Sequence, residues 1–164
     1  MPTLNIDGLR FAFPEGWQAG KYDEWAFYRG HFVKQFDGLK GVDALALAPD
    51  GMAYLIEVKD YRHPETEKPS ELAQAIAHKV IATLGALLPA RLNAHAPQEK
   101  MLAGAILKCV ALRVVAHIEQ PRAHRPVVDP ADIKQQLRRK LRAVDAHPKV
   151  VAMNDMQGLP WHVV

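Results

Sequence analysis

The sharpest pattern of apolar and polar positions lies between Gly41 and Arg62, GVDALALAPDGMAYLIEVKDYR, where two apolar runs flank Pro49, Asp50 and Gly51. That trio predicts a hairpin. Proline presets φ for the first loop position, aspartate suits the second, and glycine supplies the positive φ of the third. This is the three-residue hairpin loop, a type I turn closed by a left-handed residue. With that loop Ala48 pairs with Met52, and Asp43 then sits directly across the ladder from Glu57. Lys59, two residues on, projects from the same face of its strand. Leu45, Leu47 and Leu55 share parity with Asp43 and Glu57, so the two acids lie on the apolar face.

Weaker periodicities frame the hairpin. Leu4 to Phe13 predicts a small hairpin turning at Asp7-Gly8, and Pro14, Gly16 and Gly20 punctuate a connection. From Tyr22, YDEWAFYRGHF places Trp25, Tyr28 and Phe32 on one face of a helix of about two turns. Phe32, Lys34 and Phe36 then begin a strand, and Asp37 to Gly41 turn the chain. After the polar loop His63 to Pro69, Ser70 is an N-cap for a long helix. Its stripe is Leu72, Ile76, Val80, Leu84 and Leu88, widened by Ala73, Ala77 and Ile81. Pro89 to Pro97 reads as a loop and Gln98 to about Leu107 as a helix. The valine-rich Val110 to Glu119 reads as a strand covered on both faces. Asp129 as N-cap and Pro130 at the first helical position open a helix to about Asp145, buried along Ile133, Leu137, Leu141 and Val144. Lys149 to Met153 and Trp161 to Val164 predict two final strands around a turn containing Asn154, Asp155 and Gly158. The sum over residues 1–164 is a single α/β domain with a mixed central sheet flanked by helices.

Composition narrows the function classes. A formal charge of +3 makes the chain mildly basic, compatible with a polyanionic partner. One cysteine, Cys109, leaves no internal disulfide and no cysteine-type zinc site. The eight histidines are scattered, without metal-site spacing. No dinucleotide fingerprint, phosphate-cradling P-loop or G-x-S-x-G elbow occurs. The opening MPTLNIDG lacks a basic stretch followed by an apolar one, and the apolar run Met101 to Ala116 is broken by Lys108 and Arg113. A cytoplasmic protein with no membrane span is therefore expected.

Opposed carboxylates repel across a ladder. A chain tolerates such a pair if it binds a divalent cation, shares a proton, or is neutralised by a lysine, here Lys59. Asp23 and Glu24 fall in the first turn of the predicted helix, where acids favour the positive dipole end. Gln74 and His78 share a helix face that can simply be solvated. Lys134, Arg138 and Arg142 form a basic ridge at i+4 spacing, able to follow a phosphate backbone or to face water.

An Asp on one strand, then Glu-x-Lys on the next strand of a hairpin, then a helix resembles the PD-(D/E)xK nuclease superfamily, through Asp43, Glu57 and Lys59. Val42 stands where the name-giving proline would be. The resemblance implies a restriction-endonuclease-like αβββαβ core over about residues 20–118, with an extra N-terminal hairpin and a C-terminal helix plus strands. It implies a metal-dependent nuclease acting on DNA. Asp43, Glu57 and the Val58 carbonyl would hold Mg²⁺ or Mn²⁺, and Lys59 would be the catalytic lysine. Gln74 would be a polar residue beside it, and Asp23 or Glu24 an extra acid. The alternative is an inactive nuclease-fold module that binds nucleic acid or a protein partner, as a homodimer or within a larger complex.

Overall fold

A computed structural model describes residues 1–164. The first hairpin forms where the alternation puts it. β1 (Thr3–Ile6) pairs antiparallel with β2 (Leu9–Ala12) through Asp7 and Gly8, at φ 50° and 83°, the mirror-image turn that matches strand twist. β3 (Gln18–Lys21) then forms where the sequence reads only as a connection. Residues 22–34 are three short helical pieces instead of one helix: a 3-10 turn at Tyr22–Glu24, α1 (Ala26–Gly30), and a second 3-10 turn at Phe32–Lys34. The strand expected from Phe32 is absent, and Phe36 is exposed at φ 50°. Aromatic packing explains the broken helix. Tyr22 lies 4.9 Å from Tyr28 and 5.2 Å from Trp25 by ring centroids, so the rings, not a continuous ladder, anchor the segment.

β4 (Ala44–Leu47) and β5 (Met52–Asp60) form the central hairpin with the expected loop and register. Ala48 N–H donates to the Met52 carbonyl and Gly51, at φ 88°, turns the chain. α2 (Leu72–Asn93) follows; its N-cap position is Glu71 and not Ser70, and no side chain caps it by a hydrogen bond. It runs through Pro89, where a loop is expected, because Leu87 and Ala90 are buried in the core on either side of that proline. Its buried face is Leu72, Ile76, Val80, Thr83, Leu87 and Ala90, while Ile81 and Leu88 are exposed. A strict step of four overshoots the 3.6-residue turn, so the predicted stripe rotates out of the core. By length and composition α2 could cross a bilayer; here one side lies in the protein core.

α3 (Pro97–Ile106) leads to β6 (Ala111–Glu119), which is parallel to β5. α4 (Pro130–Lys140) starts as predicted, with Ala131 N–H donating to Asp129 Oδ1 at 3.0 Å, but ends one turn early. Asp145 is drawn instead to the sheet, accepting from Val114 N–H and from Arg113, both at 2.9 Å. β7 (Lys149–Val151) extends the parallel side, and β8 (His162–Val163) leaves it to pair with β2. The last two strands are therefore in different sheets.

The large sheet has the order β3-β4-β5-β6-β7, antiparallel up to β5 and parallel beyond it. Its one face carries Leu45, Leu55, Val114 and Ile118 against the helices. The other carries Ala46, Ile56, Val58 and Val115 against the small sheet β1-β2-β8, with Phe11, Phe13 and Trp161 between. The chain is thus an α/β protein with a mixed sheet flanked by helices. Only β4 and β5 lie between the first helical segment and α2, because β3 precedes that segment; the expected helix followed by three strands does not occur in that order.

Candidate functional site

The pairing Ala44↔Ile56 places Asp43, just before β4, level with Glu57 on β5. Asp43 does not extend the ladder; its carboxylate does so in its place, Oδ2 accepting from the Val58 N–H at 2.7 Å. The segment leading to it is held tightly. A Cβ on Gly41 would lie 2.7 Å from Tyr22 Cδ1 and nearer still to Cε1, so only glycine fits. Gly41 N–H donates to Tyr28 Oη at 3.1 Å, and Val42 N–H to Thr83 Oγ1 at 3.0 Å. Thr83 in turn donates to the Lys79 carbonyl at 2.7 Å, which ties α2 to the strand that presents Asp43.

Glu57 is buried on the helix-facing side of the sheet, with Ala116 beside it on β6. Its Oε1 accepts from Lys79 Nζ at 2.5 Å, and Lys59 Nζ stands 3.8 Å from the same oxygen. Its Oε2 is buried without any hydrogen-bond partner. Both ammonium groups are partly exposed, so the carboxylate is the floor of the site and the two lysines its rim. Asp23, from the first 3-10 turn, also has a buried, unpartnered oxygen and lies close enough to raise the pKa of Asp43 and of Glu57. Glu24 points away and pairs with Lys21 at 2.6 Å on the surface.

These environments shift the protonation equilibria. Burial, and then the Glu57 carboxylate, push Asp43 up from 3.8 to about 8, with the Val58 N–H pulling the other way. Burial also raises Glu57, but Lys79 opposes it by charge and by hydrogen bond. Burial opposes the charge on Lys79, and Glu57 outweighs it, so its ammonium is held above the usual range. A pKa of about 8 keeps the proton on Asp43 at neutral pH.

The structure brings Asp43, Glu57 and Lys59 together, with Asp23 near enough to act on both acids through its charge. Gln74 is exposed on α2, and the residue that α2 supplies is Lys79. Nothing in the local periodicity marks Lys79, because a helix-to-strand contact depends on how the two elements dock. The Val58 N–H faces the Asp43 carboxylate, and within a strand a residue's N–H and C=O point to the same side, so the Val58 carbonyl is aimed at the same edge. As they stand, no three acidic, histidine or cysteine side chains are grouped closely enough to enclose a metal ion. Two carboxylates with an orphaned oxygen nevertheless form an all-oxygen donor set of the kind that Mg²⁺ completes with waters and phosphate. Lys134, Arg138 and Arg142 are exposed, two on α4 and one just beyond it.

No family model and no solved structure matches the chain. Among curated proteins it is similar to the cysteine--tRNA ligase of Neisseria meningitidis serogroup A, 32% identical over 151 aligned positions. The match takes in 74% of this chain and 22% of the ligase, so the chain spans about a fifth of that protein's length. This corrects the functional expectation. The Asp43, Glu57 and Lys59 pattern pointed to a DNA-cleaving enzyme, whereas the matched sequence is part of a cysteine--tRNA ligase; the chain is similar to a region of that protein, and the nuclease assignment falls.

Proposed function

We propose that the chain is a binding module for nucleic acid, with tRNA as its ligand, that grips a phosphate through a divalent cation at Asp43 and Glu57. The observation that carries this reading is Glu57, a buried carboxylate with one oxygen on Lys79 and the other without a partner. Stability alone does not account for such a residue. A buried ion pair is often no better than apolar side chains of the same volume, and an unsatisfied buried oxygen costs about 1–3 kcal/mol. Mg²⁺ or Mn²⁺ would be held by Asp43 and Glu57, with the Val58 carbonyl and Asp23 as further oxygen donors. When bound, such an ion joins the carboxylates to a phosphate oxygen.

Lys59 stands at the rim of the site, where it would meet the same phosphate. The Lys134, Arg138 and Arg142 ridge supplies exposed cations for neighbouring phosphates, a contribution that salt would weaken. The name of the matched ligase favours tRNA over DNA. A restriction-endonuclease-like origin of the scaffold belongs to this proposal, supported by the Asp and Glu-x-Lys pattern on the central hairpin of a mixed sheet. A cytoplasmic location goes with the same reading.

Fluorescence anisotropy with labelled unfractionated tRNA tests it. Binding is expected with Mg²⁺, is expected to fall in EDTA, and is expected to weaken by about tenfold in Asp43→Asn or Glu57→Gln, the loss of one good charged contact. Equal affinity in Mg²⁺ and EDTA would remove the cation from the reading, and an absence of RNA binding would sink it.

A further inference from the structure

We propose that Lys79 is a phosphate-binding residue held in reserve: its ammonium sits on Glu57 in the free protein and moves to the ligand's phosphate when a divalent cation occupies Glu57. The inference rests on the cation-and-phosphate reading of the site and adds to it the residue that couples the two ligands.

Four features of the geometry point this way. Lys79 Nζ and Lys59 Nζ address the same oxygen, Oε1, at 2.5 and 3.8 Å, and neither reaches Oε2. A cation bonded to the free Oε2 at about 2.0–2.1 Å would share one buried carboxylate with the Lys79 ammonium on Oε1, and like charges so placed repel. The Lys79 side chain is 22% exposed, so its flexible stem has a route outward that the fully buried carboxylate lacks. Its backbone does not have to move, because Thr83 fixes the Lys79 carbonyl.

The charges favour exchange over simple expulsion. Three acids, Asp23, Asp43 and Glu57, meet two ammonium groups, Lys59 and Lys79, at this site. With a divalent ion bound and all three acids ionised, it carries one surplus positive charge, which a single phosphodiester cancels. A displaced Lys79 therefore has a new anionic partner only when the cation arrives with a phosphate, so cation and nucleic acid bind better together than separately.

Titration calorimetry with Mn²⁺ alone and anisotropy with tRNA in Mn²⁺ test the exchange, using Lys79→Met, which keeps the apolar stem. Removing the competing ammonium is expected to tighten Mn²⁺ alone by about tenfold, and to weaken tRNA in Mn²⁺ by a similar factor. These shifts have opposite signs, which the loss of a merely structural ion pair would not produce. Lys79→Gln, which keeps a donor for Glu57, repeats both measurements should the methionine variant fold poorly. Weaker or unchanged Mn²⁺ binding in both variants, or undiminished tRNA affinity in both, overturns the proposal. A wild-type protein that binds Mn²⁺ but no tRNA ends the nucleic-acid reading, and the Mn²⁺ titrations then decide the displacement on their own.

Discussion

At the scale of single residues, Asp43 sets the pH behaviour of the site. Its folded pKa, about 8, exceeds the ordinary 3.8, so the folded protein keeps a proton that the unfolded chain releases. The resulting penalty is absent below pH 3.8, grows as the pH rises, and is complete above about 8. Asp43→Asn keeps an acceptor for the Val58 N–H and cannot ionise. It is expected to stabilise the fold by a few kcal/mol at pH 9, since each tenfold change in proton affinity is worth about 1.4 kcal/mol, and by much less at pH 4. Urea unfolding at both values checks this, and a gain independent of pH would contradict it. Asp43, Glu57 and Lys59 were legible because hairpin arithmetic fixes which side chains share a face. Asp23 was legible only as one of two adjacent acids; the choice between Asp23 and Glu24 depends on Lys21, which takes Glu24 to the surface.

At the scale of elements, the hairpins and α4's N-terminus followed from turn and cap chemistry, which is local and explicit in the residues. The failures share a cause. β3, the fragmented segment 22–34 and the passage of α2 through Pro89 are each decided by tertiary contact over a weak local preference. α1, for example, is capped from a distance, its Ala26 and Phe27 N–H groups donating to the Glu99 carboxylate of α3 at 3.0 Å each. The join between α2 and the Asp43 strand is equally non-local and depends on Gly41. Gly41→Ala would drive a methyl group into the Tyr22 ring and is expected to destabilise the fold by about 1–3 kcal/mol, the usual cost of overpacking. The same displacement should weaken Mn²⁺ binding, because Asp43 is two residues away. Thermal unfolding and calorimetry on the one variant check both, and a wild-type melting temperature would exclude the tight approach.

At the scale of the whole molecule, the mixed sheet and its helical cover were legible as a class, since strand-like and helix-like periods alternate along the chain. The small sheet was legible only in pieces. β8 was expected to turn back on β7, and it crosses to β2 because Trp161, 1% exposed, fills the space between the sheets beside Phe13 and Tyr54. Trp161→Ala is expected to cost about 3–5 kcal/mol, the usual loss for a large buried ring, and to release the second sheet first. Hydrogen exchange should then show β1, β2 and β8 losing protection ahead of β5 and β6; simultaneous loss would mean that the two sheets unfold as one unit.

β5 takes one of its two neighbours from β4, just before it in the chain, and the other from β6, whose first paired residue, Ala111, comes long after the hairpin is made. As the chain leaves the ribosome, nine residues of strand, MAYLIEVKD, must wait with one row of amides and carbonyls open until α2, α3 and β6 have all emerged. That interval is when the nascent protein is most vulnerable to pairing with another chain. Lys59 and Asp60, closing the open strand with charges, are placed where they discourage it.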